Sequence, residues 1–240
     1  MTAPAPTIQA CMIDLDGTLL DTLGDFDAAL NDALRQLGLP ALTRAQIGLM
    51  VGKGSEHLVQ SALAACTDNA TPDIPLQAQT MALYQTAYAR INGQFSRIYP
   101  GVEKGLQQLC AQGLSLACLT NKPLAHARKL LAAKGLDHYF AHTFGGDSFA
   151  RKKPDPLPLI ETCRALGSTP ARAVMVGDSS NDAAAARAAR CPVVLVRYGY
   201  NHGRPITEVN ADAYIDSLAE LPAWLAQRGY HQTMTSKDMT

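Results

Sequence analysis

Two acids one residue apart, Asp14 and Asp16, follow the apolar run Ala10-Cys11-Met12-Ile13 and precede Gly17-Thr18. An extended backbone sends alternate side chains to the same side, so both carboxylates share a face. Their charges repel unless a cation or a shared proton separates them. Three further stretches carry polar chemistry. Leu119 leads into Thr120-Asn121-Lys122-Pro123, and Arg151-Lys152-Lys153-Pro154-Asp155-Pro156 is basic and stiffened by prolines. Val176 leads into Gly177-Asp178-Ser179-Ser180-Asn181-Asp182. Asp14, Asp16 and Asp178 offer hard oxygen ligands of the kind Mg²⁺ takes while keeping several waters. Lys153, with the hydroxyl of Thr120 and the amide of Asn121, offers donors for phosphoryl oxygens. With the charge so neutralised, a carboxylate can approach an anionic phosphoryl group and form an aspartyl-phosphate. A second acid two residues on can protonate the leaving oxygen and then deprotonate water. A plainer reading exists for each stretch: a turn and helix start at 14–18, and helix capping by Asp178 and Asp182.

The surrounding pattern must bring these stretches together. Short apolar runs at 9–13, 114–119, 173–176 and 193–196 read as buried strands. Helical patterns lie between them at 101–112, 123–134, 157–166 and 181–189, three of them stopped or started by Gly113, Pro123, Gly135 and Gly167. Strand alternating with helix predicts an α/β fold with a doubly wound parallel sheet, whose carboxyl strand ends gather ligands. Residues 21–97 break the rhythm. They show helical stretches at 23–37, 43–49, 55–66 and 76–91 and no convincing strand, over a length too great for a loop. The expected organisation is a core of residues 1–20 and 98–240 with a helical insert at 21–97, hinged near 20–24 and 95–100. Residues 230–240 read as a frayed polar tail.

Composition narrows the function classes. Lys plus Arg and Asp plus Glu both number 21 in 240 residues. That balance argues against nucleic-acid binding, which requires a clustered basic excess. No run is long enough to span a membrane, and residues 1–9 lack the features of a signal peptide. The six cysteines form no C-x-x-C pair and read as reduced core thiols, so a cytoplasmic location is expected.

Together the four stretches resemble the motifs of the haloacid dehalogenase superfamily of phosphatases, in order. D-x-D-G-T is Asp14 to Thr18, the hydroxyl of the second motif is Thr120, and G-D-x-x-x-D is Gly177 to Asp182. The K-P-x-P pattern selects Lys153 over its neighbour Lys152. The resemblance covers nearly all of residues 8–225. It implies Asp14 as nucleophile and Asp16 as general acid and base. It implies Mg²⁺ on the Asp14 carboxylate, the Asp16 backbone carbonyl and the Asp178 carboxylate, with Asp182 orienting that shell. The helical insert resembles the family's mobile cap. Within the superfamily the chain is most similar to bacterial phosphoglycolate phosphatases, on the D-G-T-L-L-D-T opening, the Val51-Gly52-Lys53-Gly54-Ser55 stretch, the K-K-P-x-P loop and Tyr198-Gly199-Tyr200-Asn201. This implies hydrolysis of a small phosphorylated metabolite, 2-phosphoglycolate, by a monomer or homodimer.

The insert loop around Lys53 has two readings. In one it lies over the active site, where Lys53 or Ser55 reads the far end of the substrate. In the other Lys53 is an exposed turn lysine. His57 and His126 fall in helical patterns and are expected to pack rather than ligate. Rival functions are the same chemistry on a phosphosugar, a phosphomutase reusing the aspartyl-phosphate, and a phospho-receiver module. The last lacks both a large cap and the second acid of D-x-D.

Overall fold

The computed structural model describes residues 7–67 and 73–228. The tail expected at 230–240 lies outside the described residues, as do residues 1–6. In chain order the elements begin with β1 (Ala10–Ile13), β2 (Leu20–Asp21), α1 (Leu23–Gln36), α2 (Arg44–Met50), α3 (Ser55–Thr67), α4 (Ile74–Ile91) and β3 (Arg97–Ile98). There follow α5 (Val102–Ala111), β4 (Ser115–Leu119), α6 (Leu124–Ala133), β5 (His142–Phe144) and α7 (Leu157–Ala165). The chain continues through β6 (Ala173–Gly177), α8 (Ser180–Ala189), β7 (Val193–Val196), β8 (Ala213–Ile215) and α9 (Leu221–Gln227). None of the described helices is long and apolar enough to cross a membrane.

Among the described residues the main sheet has six strands in the order β5-β4-β1-β6-β7-β8, and every neighbouring pair is parallel. Alternation sends Cys11, Ile13, Val174, Val176, Val194 and Val196 into one apolar cluster with α5, α6 and α9. It sends Ala10, Met12, Ala173, Met175, Val193 and Leu195 into the opposite cluster with α7 and α8. Both sheet faces are therefore covered, which is why these strands read as unbroken apolar runs. The outer strands β5 and β8 escaped the sequence pattern. Each has three residues, and β5 places the polar His142 and Thr143 at a half-exposed edge, where no apolar run is needed.

Register places the chemistry. Ile13 pairs with Cys118 on one side and with Val176 on the other. The residues that follow those three therefore emerge at one level: Asp14, Leu119-Thr120 and Gly177-Asp178. The strand order also turns around at β1, so this is the crevice where a doubly wound sheet binds ligands.

The insert is helical, and α1 to α4 enclose an apolar cluster of their own built on Phe26, Leu30, Leu34, Ile47, Leu63, Tyr84 and Tyr88. The expected strand-free insert needs one correction: its two ends pair as the antiparallel strands β2 and β3, with Leu20 opposite Ile98 and Asp21 opposite Arg97. A two-residue strand has too little sequence to announce itself. Beside this ribbon, Asp25 in the first turn of α1 is fully buried. Its carboxylate accepts 2.7 Å hydrogen bonds from the backbone N–H groups of Gly93 and Phe95, and a third from the Ser96 hydroxyl. The outgoing and returning chains are thereby locked together. Asp25→Ala strands those donors and lowers stability by about 3 kcal/mol, or roughly 10 °C in Tm; a melt within 2 °C or so of the unaltered chain would exclude the latch.

Candidate active site

Asp14 leaves the end of β1 with its backbone N–H bonded to Val176 O at 2.9 Å and its Oδ1 accepting from Leu15 N at 2.7 Å. The Lys153 Nζ lies 3.1 Å from Asp14 Oδ1, 2.7 Å from Asp182 Oδ1 and 2.8 Å from Leu119 O. One buried ammonium thus ties together three strand-end loops. The neighbouring Lys152 is half-buried and reaches Glu56 of the insert at 3.2 Å. Asp182 is fully buried, and its Oδ2 accepts from the Ser179 hydroxyl at 2.7 Å and the Ser179 N–H at 3.2 Å. It caps α8 and holds Lys153 at once, so the capping and functional readings of this residue coexist.

Asp178 accepts from the Thr18 hydroxyl at 3.2 Å and from the Tyr200 N–H. Two glycines permit this crowding. Gly17 has φ +83°, and a Cβ there would sit 2.1 Å from Asp178 Oδ2; a Cβ on Gly177 would sit 2.3 Å from the Asp182 carboxyl carbon. Neither position admits a side chain. Tyr200 continues from Asp178 to the start of the insert. Its hydroxyl donates to Asp21 and accepts from Thr22 N at 3.0 Å and Leu23 N at 3.2 Å.

Asp14, Asp16, Thr120, Asn121 and Lys122 line a cavity of about 30 Å³, roofed from the insert by Phe26, Val51, Gly52, Gly54, Ser55 and Leu58. That space holds roughly two water-sized groups. Asn121 Nδ2 donates to Lys153 O at 2.8 Å and to Gly52 O at 3.2 Å, joining core to insert. Thr120 Oγ1 accepts from Lys122 N at 3.2 Å. Ser55 faces the cavity, whereas Lys53 is exposed at the loop tip and is not among its lining residues. His57 Nδ1 lies 3.3 Å from Met50 O, and the His126 ring packs edge-on against Tyr88.

Sequence reasoning passed over Lys122, whose side chain is only 2 % exposed. Its Nζ donates to both oxygens of Asp16, at 2.9 and 3.1 Å. Its place in the sequence, one lysine in a short polar stretch, carries no mark that sets it apart from Lys152.

Electrostatics points to a divalent cation. Burial, and then the charges of Asp182 and Asp16, push the Asp14 carboxyl up to about 7 against the pull of Lys153. Burial, and then Asp182 and Asp14, push Asp178 well above the usual carboxylate range. Burial alone would lower Lys153, yet Asp14 and Asp182 hold it above its usual value. Four carboxylates at 14, 16, 178 and 182 face two ammonium groups at 122 and 153, a net charge of −2 when all are ionised. Oxygens of Asp14, Asp178 and Asp182 lie within 4.8 Å of one another. This oxygen-only set and its charge deficit suit Mg²⁺.

A pH-dependent stability follows. The folded state holds protons on Asp14 and Asp178 more tightly than the unfolded chain does, so metal-free protein loses stability as pH rises from about 4 to about 7. Saturating Mg²⁺ at pH 7.5 restores it and raises Tm by roughly 5–10 °C, with a smaller rise at pH 5. Equal melts with and without Mg²⁺ at pH 7.5 would remove the cation from this site.

Strand-end carboxylates, a buried bridging lysine and a helical roof define the class. The chain belongs to the haloacid dehalogenase-like hydrolases, whose pattern its residues 8–190 match. It is 45 % identical to the phosphoglycolate phosphatase of Thiobacillus denitrificans, over 90 % of this chain and 95 % of that protein. It is 46 % identical to the phosphoglycolate phosphatase of Nitrosospira multiformis, again over 90 % and 95 % of the two chains. The crystal structure of a predicted phosphoglycolate phosphatase from Haemophilus somnus is similar at 34 % identity and a TM-score of 0.86, covering 90 % of this chain and 97 % of that one.

Proposed function

We propose that this chain is a Mg²⁺-dependent phosphatase that hydrolyses 2-phosphoglycolate to glycolate and phosphate through an aspartyl-phosphate. The observation that carries the reading is 45–46 % identity to phosphoglycolate phosphatases over 90 % of this chain. Asp14 is the proposed nucleophile, because it sits at the cavity wall with Leu15 N–H and Lys153 fixing one carboxylate oxygen. Its other oxygen attacks phosphorus, and the bond to the glycolate oxygen breaks. Asp16, on the same wall, protonates that leaving oxygen and later removes a proton from the water that attacks phospho-Asp14. Thr120 and Asn121 are proposed to donate to the phosphoryl oxygens. The carboxylates of Asp14 and Asp178 and the Asp16 carbonyl would hold Mg²⁺, with Asp182 and Lys153 orienting them. When bound, the cation offsets the charge of the phosphoryl group, which otherwise repels the attacking carboxylate.

Residues 21–97 are the proposed cap and residues 1–20 and 98–240 the core. A cap closing over the small cavity excludes bulk water and bulky esters. Ser55 and the exposed Lys53 are proposed to meet the substrate from this side. The six free cysteines favour a reducing compartment, and a cytoplasmic monomer or homodimer is the form proposed.

The test is a panel of small phosphate esters ranked by kcat/KM with Mg²⁺ and with a chelator. We expect 2-phosphoglycolate to lead the panel and chelation to abolish turnover. A phosphosugar ranked first, or activity indifferent to the chelator, would overturn the assignment.

A further inference from the structure

One cation at the site is left without a task by the chemistry of Asp14. Lys122 is the single positively charged side chain among the described residues that line the cavity. Lys153 is held between Asp14 and Asp182, and Lys53 points from an exposed tip. The Lys122 ammonium sits 4.5 Å from the centre of the Phe26 ring and 4.8 Å from that of Tyr88. Both rings belong to the insert, on α1 and α4, while Lys122 and its partner Asp16 belong to the core.

The surroundings make this a seat for one carboxylate. Ring faces attract a cation but neutralise none of its charge, so the buried ammonium needs an anion beside it. Asp16 fills that role in both its oxygens. The same Asp16 has to turn toward the leaving oxygen to act as acid. If it turned away with nothing in its place, a charge would be left buried and unpaired. A substrate that brings its own carboxylate removes that penalty, because one carboxylate replaces another. A neutral ester cannot.

We infer that Lys122 is the specificity residue that binds the substrate carboxylate, taking it in exchange for Asp16 and so releasing the acid–base group only when an acid-bearing ester is present. The inference rests on the phosphoglycolate reading given above, and extends it. It moves carboxylate recognition from the cap loop to a core lysine whose seat is completed by two cap rings.

The experiment compares Lys122→Met with the unaltered chain on two esters, with Mg²⁺. One is 2-phosphoglycolate; the other is 2-hydroxyethyl phosphate, which carries a hydroxymethyl group where the first has its carboxylate. The unaltered chain should favour 2-phosphoglycolate by at least about 100-fold in kcat/KM, the order expected when a buried donor is left unsatisfied. Lys122→Met should lose at least about 30-fold of that preference, chiefly as a raised KM, and Lys122→Arg should recover most of it. Should Lys122→Met fail to fold, Lys122→Gln carries the same comparison. Equal losses on both esters would mean that Lys122 only steadies Asp16, and a preference kept intact would leave it no part in recognition; either result overturns the inference alone. An unaltered chain without preference for the acid would instead overturn the phosphoglycolate reading, and this inference with it.

Discussion

Asp14→Asn turns over 2-phosphoglycolate at least about 10⁴-fold more slowly than the unaltered chain, and does so as a folded protein. Hydrolysis of phosphate monoesters is among the slowest reactions in water, so losing the nucleophile cannot be made good by the remaining groups. An amide keeps the shape of the carboxylate and can still meet Leu15 N–H, but it offers phosphorus no anionic oxygen. Folding should not suffer. The Asp14 carboxyl is pushed up to about 7 chiefly by burial, so its ionised form is a burden on the metal-free fold at neutral pH. Asn removes that burden. Lys153 retains Asp182 at 2.7 Å. Without Mg²⁺ at pH 7.5 the variant should therefore melt no lower than the unaltered chain, and its Tm should respond less to the cation. Activity and thermal melts on one preparation check both statements; near-normal turnover would remove Asp14 from the nucleophile's role.

Lys153→Met has the other large effect, and it strikes stability and catalysis together. The Lys153 side chain is 2 % exposed and serves Asp14, Asp182 and the Leu119 carbonyl. Removing one partner of a buried ion pair leaves the others uncompensated, at a cost of about 3–5 kcal/mol. For a chain of this size that is roughly 10–15 °C in Tm. We also expect kcat/KM to fall at least about 10³-fold, since the ammonium that fixes the nucleophile is gone. The stability loss should shrink as pH falls toward 5, because Asp14, with its raised value, takes up a proton and ceases to need the cation. The same substitution at Lys152, which is half-exposed and pairs with Glu56 at the surface, should shift Tm by no more than about 2 °C. Melts at pH 5 and 7.5 distinguish the two lysines, and similar melts for both variants would contradict the buried bridge.

The core elements were legible because their causes are local. Strands β1, β4, β6 and β7 lie inside the sheet, covered on both faces, so each must be an apolar run. Polar residues at the ends of such runs stand out, and parallel pairing gathers those ends without further information. That is why Asp14, Thr120 and Asp178 could be singled out before any contact was known; Lys153 follows no apolar run and was selected by its resemblance to the K-P-x-P pattern. The edge strands β5 and β8 and the paired strands β2 and β3 have no such constraint. They are short and partly exposed, and their partners lie far off in the chain.

What the amino-acid order determined by itself was the α/β sheet, the helical insert and the acids that meet at the strand ends, while the resemblance to the K-P-x-P pattern supplied the lysine. What only the folded molecule decided was which lysine faces which charge. Lys53, Lys122 and Lys152 all lie between predicted elements in the sequence, yet one is exposed at a tip, one is buried between Asp16 and two rings, and one pairs at the surface. The reason is physical. Burial and pairing of a charge depend on side chains brought in from distant segments, here Phe26 and Tyr88 from the insert, and no local pattern encodes that approach.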